Sequence, residues 1–437
     1  MRHLTKLLMW VTGLTPLGFA CAPSPGSGAA GASGGSAVGG VAGASSAAGT
    51  SSAAGGAGTA SGGTSEPPAS GSGGEAPLAG ASSGAGGSAG FGGGAGATSG
   101  GTSGAAAAGG SGGSGPCAAT TLKDAGSCSN RLIGVALTNR HLGEPELAAA
   151  ALEFNYVTPE DEMKWDVTEP QPGTFTFEEG DAIVEFAEAN GMKVKGHTLV
   201  WHNQLPTWLN TLNETQLRAA LKAHIEGVMA HYAGRVIAWD VVNEAFGDDG
   251  ALRDSIWSQK LGRSFIEDSF RYARAADPNV KLYYNDYDIE SAYDKADSVY
   301  EMVKDFKARG VPLDGVGMQM HTRTTDEDPP VPEFVANLER LLALGVEVVL
   351  SEMDVRYCAD GTDEKQKKRF HDIVAACVAH PGCGAITVWG ITDKYSFLND
   401  RTDLQCAGSL PPRPLLWNDT YEKKPSFDGV LDALLGR

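Results

Sequence analysis

The stretch Val236-Ile-Ala-Trp-Asp-Val-Val-Asn-Glu244 contains the unit from which the second part of the chain is built. A short apolar, β-branched run (236–242) is followed by polar residues, and then by a stretch whose apolar residues have helical spacing. Short runs of this kind are typical of strands, and their alternation with helices indicates a parallel sheet.

The same unit occurs eight times after residue 130. The apolar runs lie at 132–138, 155–158, 193–200, 236–242, 280–285, 313–319, 346–351 and 385–390. Amphipathic helical spacing is found at 214–231, 264–276, 293–309, 333–344 and 364–379. Asn213 and Thr362 stand where helix N-caps are expected. Eight strand–helix units close a barrel, so we predict an α/β protein with a (β/α)8 TIM-barrel fold.

Two other segments precede this barrel, and the first, 1–21, has the pattern of an export signal peptide. A basic start is followed by an apolar run from Leu7 to Ala20. Cys21 follows directly, as in the lipobox of bacterial lipoproteins, where the cysteine carries the lipid. The small residues Gly18 and Ala20 suit ordinary signal peptidase equally well. We therefore expect a secreted or cell-surface protein, and leave open whether Cys21 anchors it to a membrane or the chain is released.

The second segment, 22–116, consists almost wholly of Gly, Ser, Ala and Thr, with Glu66 and Glu75 as its only charges. Such a composition cannot offset the entropy lost on ordering, so we predict a disordered linker. The catalytic domain is then 117–437.

The net charge narrows the classes of possible partner, and the cysteines indicate the disulfides. The net charge of −19 argues against nucleic acid and anionic membrane surfaces as partners, but not against a neutral polysaccharide. Setting Cys21 aside, six of the seven cysteines remain, enough for three disulfides in an exported protein. Cys117 with Cys128 and Cys377 with Cys383 are close enough to pair locally, which leaves Cys358 with Cys406; other pairings stay open. No CxxC motif or histidine cluster accompanies them, so we expect no metal. We also expect no cofactor and a monomer.

Polar and aromatic residues follow the predicted strands, at the positions that form one rim of a TIM barrel. They are Glu160, Asp161, Lys164, Trp165, His197, Trp201, His202, Gln204, Asn243, Glu244, Asn285, Asp286, Tyr287, Gln319, His321, Glu352, Asp354 and Trp389. A structural protein has no reason to concentrate ionisable and aromatic groups in this way, so the rim is the predicted active site.

Glu244 and Glu352 end the fourth and seventh strands, and a pair of carboxyl groups is the minimal equipment for cleaving a glycosidic bond. Either residue alone would more often be an ordinary surface acid. Asn243 can bind a sugar 2-hydroxyl, while His321 and Asp354 can orient Glu352 and keep it ionised.

Sugar rings are typically bound by flat aromatic faces and by hydrogen-bond donors for their hydroxyls. Trp165, Trp201 and Trp389 are the candidates for the aromatic faces. The candidate donors are Lys164, His197, Gln204 and Gln319.

Seven motifs in sequence order resemble the family 10 glycoside hydrolases, the (β/α)8 endo-xylanases, from about Arg131 to Phe427. They are Thr158-Pro-Glu-Asp-Glu-Met-Lys-Trp165, Gly196-His-Thr-Leu-Val-Trp-His202, Trp239-Asp-Val-Val-Asn-Glu-Ala245, Tyr284-Asn-Asp-Tyr287, Gly317-Met-Gln-Met-His321, Ser351-Glu-Met-Asp354 and Val388-Trp-Gly390. The resemblance implies retaining endo-hydrolysis of β-1,4-xylosidic bonds in xylan, with Glu244 as acid/base and Glu352 as nucleophile. It also implies a Cys377–Cys383 disulfide.

The resemblance further assigns the sugar-binding positions and shows two departures. Around the −1 sugar it places Asn243, His197, Gln319, His321 and Trp389, and in subsite −2 it places Glu160, Asp161 and Lys164. Asp161 stands where the family usually has Asn, and Phe397 where it usually has Trp. Trp201, Gln204 and Tyr287 complete the predicted substrate contacts. A β-1,4-glucanase on the same barrel and a non-catalytic carbohydrate-binding surface protein remain as alternatives.

Overall fold

The protein is described by a computed structural model over residues 117–325, 329–401, 404 and 411–437. The predicted signal peptide, Cys21, the linker 22–116 and Cys406 lie outside these residues. Those predictions therefore stay predictions.

All neighbouring strands of the central sheet are parallel. The strands are β1 (Leu132–Leu137), β2 (Tyr156–Pro159), β3 (Lys193–Val200), β4 (Ala238–Asn243), β5 (Lys281–Asp286), β6 (Gly315–Met318), β7 (His321–Arg323), β8 (Glu347–Arg356) and β9 (Cys383–Val388). β6 pairs with β8 and β9 pairs with β1, so the sheet closes into a barrel. The short β7 continues the sixth barrel strand after a break at Gln319 and Met320. The prediction of a (β/α)8 barrel is confirmed.

Helices precede β1, follow β9 and occupy all the intervals between the strands except that between β6 and β7. They are α1 (Leu122–Cys128), α2 (Pro145–Ala151), α3 (Trp165–Thr168), α4 (Glu178–Ala189), α5 (Glu214–His231), α6 (Ile256–Leu261), α7 (Ser264–Ala276), α8 (Asp294–Arg309), α9 (Val331–Leu342), α10 (Asp363–Ala379) and α11 (Pro425–Leu434). Asn213 caps α5 in a reciprocal capping box with Gln216, and the Thr362 side chain accepts from the Lys365 N–H to cap α10. Both predicted caps are therefore confirmed. In each, the side-chain oxygen satisfies an N–H group that has no partner inside the helix.

Strand β8 is longer than the apolar run 346–351 from which it was predicted. β8 extends to Arg356, five residues beyond the predicted end, because β7 pairs with it above the barrel proper. The alternating sequence Glu352-Met-Asp-Val-Arg356 places Glu352, Asp354 and Arg356 on one face of this extension. The extra pairing thus carries polar side chains beyond the rim of the barrel.

Two predicted disulfides are present among the described residues, Cys117–Cys128 and Cys377–Cys383. The second joins the last turn of α10 to the start of β9. Cys358 is also disulfide-bonded, while its predicted partner Cys406 lies outside the described residues. A search of the described part of the chain for a helix with the length and apolar character of a membrane span found none.

Candidate active site

A cavity of about 700 Å³ opens at the carboxyl ends of the barrel strands. With the exception of Trp165, the residues predicted to be catalytic or to bind substrate line it: Glu160, Asp161, Lys164, His197, Trp201, Gln204, Asn243, Glu244, Tyr287, Gln319, His321, Glu352, Trp389 and Phe397. Asp354 lies behind this wall, on His321. The residues converge because all the parallel strands end at the same rim, as the TIM-barrel prediction requires.

Glu244 follows the last residue of β4 in a left-handed backbone conformation, with φ of 54°. The side chain is surrounded by donors: Oε1 accepts from Gln319 Nε2 at 2.9 Å, and Oε2 accepts from Trp201 Nε1 at 2.9 Å. Asn243 Nδ2 donates to Oε1 at 3.2 Å. The turn therefore points the carboxyl group into the cleft, where groups from three other positions fix it.

Glu352 lies on β8 in a buried position, and a chain of contacts holds it. Its Oε1 accepts from Asn285 Nδ2 at 2.7 Å, and its Oε2 lies 3.4 Å from His321 Nε2. On the other side of the imidazole, His321 Nδ1 lies 2.6 Å from Asp354 Oδ2. The predicted chain Glu352–His321–Asp354 is thus present, and the paired register of β7 and β8 creates it by placing His321 opposite Asp354.

The electrostatics of this chain favour an ionised Glu352. Burial opposes a positive charge on His321, but the two carboxylates of Asp354 and Glu352 outweigh burial and raise the His321 pKa. Burial likewise opposes a charged Glu352, but the hydrogen bond from His321 and the electrostatic interactions with His197, His321 and Lys195 lower its pKa. A carboxyl group that stays ionised is what a nucleophile requires.

Asn285 connects the two acids, a role that the sequence did not reveal. Its Nδ2 donates both to Glu352 and to Asn243 Oδ1, the latter at 2.9 Å, and its Oδ1 accepts from Ser351 Oγ at 2.5 Å. A Cβ atom at Gly317 would come within 2.2 Å of Asn285 Oδ1, so the glycine leaves room for this amide. The position of Asn285 after an apolar run marked it only as a rim residue.

Beneath His197 lies a buried ion pair that was also missed. Lys195 Nζ donates to Asp240 Oδ2 at 2.7 Å, and His197 Nδ1 lies 2.9 Å from the same oxygen. The side chains of Lys195 and Asp240 are 0% exposed. The only signal in the sequence is a charged residue inside each of two apolar runs, Lys195 in β3 and Asp240 in β4, at positions whose side chains face the barrel interior. Their effect is to fix the imidazole of His197 in the cleft.

Asp161, Lys164 and Gln204 form a hydrogen-bonded triangle at the predicted −2 end. Lys164 Nζ donates to Asp161 Oδ1 at 3.1 Å and to Gln204 Oε1 at 2.7 Å. Gln204 Nε2 donates to the same Asp161 oxygen at 3.2 Å. Beside them, burial and the charge of Asp161 raise the pKa of Glu160 to about 7. The three polar side chains are therefore held before any ligand arrives.

Trp165 is a structural residue, and its prediction as a sugar-binding face was wrong. It is 2% exposed and stacks on His224, with ring centroids 3.7 Å apart. The reason is that α3 begins at Trp165 and the ring turns beneath the rim, onto α5. Trp201 and Trp389 do line the cavity.

Two aromatic rings of the cavity lining, Phe397 and Tyr287, contact neighbouring side chains. Phe397 lies with its ring centroid 5.2 Å from that of His321. Tyr287 accepts a hydrogen bond from Arg253 and donates one to Asp248, each 2.8 Å long, and Lys295 Nζ lies 3.1 Å from its ring centroid. Both rings are thus fixed by neighbours, and both are positioned to contact a sugar chain.

No group of three or more His, Cys, Asp or Glu residues in the described ranges has the arrangement of a metal site. The cavity's chemistry consists of two carboxyl groups, amides, imidazoles and aromatic rings. This set can transfer protons, supply a carboxylate nucleophile and bind hydroxyl groups.

Comparison with known proteins agrees with this geometry. Endo-1,4-beta-xylanase C of Phanerodontia chrysosporium is 38% identical over 324 residues, covering 72% of this chain and 79% of that protein. Endo-1,4-beta-xylanase B of Thermotoga neapolitana is 41% identical over 314 residues, covering 69% and 88%. The crystal structure of xylanase 10B from Thermotoga petrophila RKU-1 in complex with xylobiose superimposes with a TM-score of 0.69 at 38% identity, covering 72% of this chain and 97% of that one. The family description "Glycosyl hydrolase family 10" matches residues 121–433. The chain therefore belongs to glycosyl hydrolase family 10.

Proposed function

We propose that the protein is a retaining endo-1,4-β-xylanase that cleaves xylan by double displacement, with Glu352 as nucleophile and Glu244 as acid/base. The observation that carries this proposal is the Asp354–His321–Glu352 chain facing Glu244. It gives two carboxyl groups different surroundings within one cleft, one held beside a cation and the other surrounded by neutral amide and indole donors. Different environments are what allow two acids to take different roles.

In the first step, a Glu352 oxygen attacks the anomeric carbon of the −1 xylosyl unit and Glu244 gives its proton to the leaving glycosidic oxygen. The carbon–oxygen bond to the aglycone breaks as the bond to Glu352 forms. In the second step, Glu244 removes a proton from water, which attacks the same carbon and releases Glu352 as a carboxylate. Two inversions give net retention.

The neighbouring residues stabilise these steps. Asn243, held by Asn285, supplies a hydrogen bond to the sugar 2-hydroxyl, which strengthens as charge develops at the ring. His197 and Gln319 line the same cavity as further partners for hydroxyl groups, and Trp389 contributes an apolar surface. The site is complete within one chain, which supports a monomer as the active unit.

The substrate assignment draws on the relatives, which are named endo-1,4-beta-xylanases, one of them solved with xylobiose. A β-1,4-glucanase is the second candidate because Phe397 is smaller than the Trp usual in the family. A non-catalytic binding role would leave the paired acids and their orienting chain without a purpose.

We also propose that the protein acts outside the cytoplasm, either released or attached to a membrane through a lipid on Cys21. The support is the signal-like segment 1–21, the cysteine that follows it and the two disulfides, which form and persist in oxidising compartments. Metabolic labelling with a fatty acid would distinguish the anchored form from the released form, with Cys21→Ser as the control.

The experiment that tests the enzymatic proposal is release of reducing sugar from xylan and from carboxymethylcellulose, with Glu352→Gln as the inactive control. We expect turnover of xylan, with the β-anomer as the first product by NMR. Retention corresponds to a carboxyl separation of about 5 to 5.5 Å between Glu244 and Glu352. An initial α-anomer would contradict the mechanism, and stronger hydrolysis of carboxymethylcellulose would favour the glucanase.

A further inference from the structure

Asp161 links the cleft to a residue outside the cavity. Its Oδ1 accepts from Lys164 and Gln204, which both line the cavity, whereas its Oδ2 accepts from Arg140 Nη2 at 2.6 Å. Arg140 is not among the lining residues. Arg140 and Lys164 thus bind different oxygens of one carboxylate, and Arg140 lies at the outer edge of the predicted −2 end.

The guanidinium of Arg140 is also held by Thr138, a residue of the same loop after β1. Its Nε donates to Thr138 Oγ1 at 3.1 Å, and the Thr138 hydroxyl donates to Glu162 Oε1 at 2.6 Å. The N–H of Asn139 donates to the same Glu162 oxygen at 2.8 Å. Glu162 is buried, so this exposed arginine is attached to the protein interior through two hydrogen bonds.

His141, the residue after Arg140, gives the loop after β1 a second attachment to the rest of the domain. His141 stacks on Tyr395, with ring centroids 3.7 Å apart and an angle of 5° between the planes. The Tyr395 and Tyr421 hydroxyls both donate to Glu144, at 2.5 Å and 2.7 Å. The loop is therefore held against the segment that leads to Phe397, and Arg140 loses less rotational entropy on binding a ligand than a free surface arginine would.

Arg140 still has donors to offer. Its side chain is 65% exposed, against 8% for Lys164. A guanidinium has five N–H donors in a rigid plane, and Nη1 of Arg140 has no hydrogen-bond partner among the described residues. Because Asp161 already neutralises the charge, the outward-facing N–H groups suit a neutral partner such as the vicinal hydroxyls of a sugar.

We propose that Arg140 is a substrate-binding residue that adds a third glycone subsite, binding the hydroxyls of the xylosyl unit beyond subsite −2. In this arrangement Asp161 stands where the family usually has Asn, and its carboxylate accepts from Lys164 and Gln204 on one oxygen and from Arg140 on the other. Arg140 then supplies the contact to the xylan chain. This inference rests on the proposed xylanase function.

The test compares kcat/KM for an aryl β-xylotrioside with that for an aryl β-xylobioside, which fills only two glycone subsites. Replacing Arg140 by Ala should lower the trioside-to-bioside ratio by about 3- to 10-fold, the effect of one or two exposed hydrogen bonds. Arg309→Ala is the matched control, because Arg309 is also an exposed arginine paired with a carboxylate, Asp305, but lies on α8. Its ratio should not change.

Arg140→Lys separates substrate binding from simple charge compensation. Lysine keeps a positive charge next to Asp161 but lacks the planar fork, so the ratio should remain low. Recovery of the natural ratio in this variant, or an equal slowing of both substrates in Arg140→Ala, would show that Arg140 is only the counter-ion of Asp161. If the natural enzyme does not cleave the xylobioside, the proposed function itself fails.

Discussion

His321 Nδ1 lies 2.6 Å from Asp354 Oδ2, and this contact favours a positive charge next to Glu352, the proposed nucleophile. The carboxylate of Asp354 stabilises a protonated imidazole, which in turn stabilises the carboxylate of Glu352. The charge on Glu352 therefore depends on a residue that does not line the cavity.

Replacing Asp354 by Asn should move the acidic limb of the kcat/KM profile to higher pH. As the proposed nucleophile, Glu352 must react as an anion, and nearby positive charge holds its pKa below the ordinary carboxyl range. Without Asp354, His321 loses its proton more easily and the Glu352 pKa rises. Removing an opposite charge of this kind shifts a pKa by about 1 to 3 units. Asp305→Asn, on the exposed face of α8, is the control. An unchanged acidic limb in Asp354→Asn would contradict the orienting role.

The two acids should respond differently to truncation. Glu352→Ala should abolish turnover, and azide should restore it, because a small anion can fill the vacated space and attack the anomeric carbon. Glu244→Ala should lose about 10²- to 10⁴-fold on xylan but much less on an aryl xyloside with a good leaving group, which does not need the proton. Rates on both substrates, with and without azide, check the assignment. If the two variants give the same pattern, the roles are wrongly assigned.

Lys195 should be important for the stability of the fold. Lys195→Met leaves the carboxylate of Asp240 buried with His197 as its remaining partner, which should lower the free energy of unfolding by about 3 to 5 kcal/mol. The double variant Lys195→Met/Asp240→Asn removes the stranded charge and should recover part of that loss. Urea denaturation of both variants provides the measurement. Equal unfolding free energies for Lys195→Met and the natural protein would exclude an energetic role for the pair.

Phe397 should admit some substrate with a glucose-type ring. Xylose lacks the hydroxymethyl group of glucose, and Phe is smaller than the Trp usual at this wall, so steric exclusion of that group is weaker. Rejection of one small group is typically worth about 10- to 200-fold in kcat/KM. Phe397→Trp should therefore raise the ratio of kcat/KM for aryl xylobioside over aryl cellobioside. An unchanged ratio would mean that Phe397 is a neutral packing substitution.

The rim of the site could be predicted from the sequence because strand ends are local features. Glu352 follows an apolar run directly and Glu244 follows one after a single residue, Asn243, and parallel strands bring such ends together. Asn213 and Thr362 were predictable for the same reason, since a cap depends on residues within one turn of the helix.

Features that depend on distant partners could not be predicted. Trp165 is followed and preceded by polar residues, as a rim residue would be, and only the position of His224 on α5 shows that it is buried. Lys195 and Asp240 are single charges on separate strands, and Arg140 lies 21 positions from the Asp161 that it contacts. The spacing of apolar residues along the chain does not indicate such long-range pairings.

The left-handed backbone at Glu244 also limits how this enzyme can be improved. A residue with a Cβ atom in that conformation is strained by about 1 to 2 kcal/mol, which glycine would avoid. Selection for thermostability alone would therefore favour losing the side chain to which we assign proton transfer. Position 244 is one where folding and catalysis have opposite optima, and any library screened by heat resistance should keep it fixed.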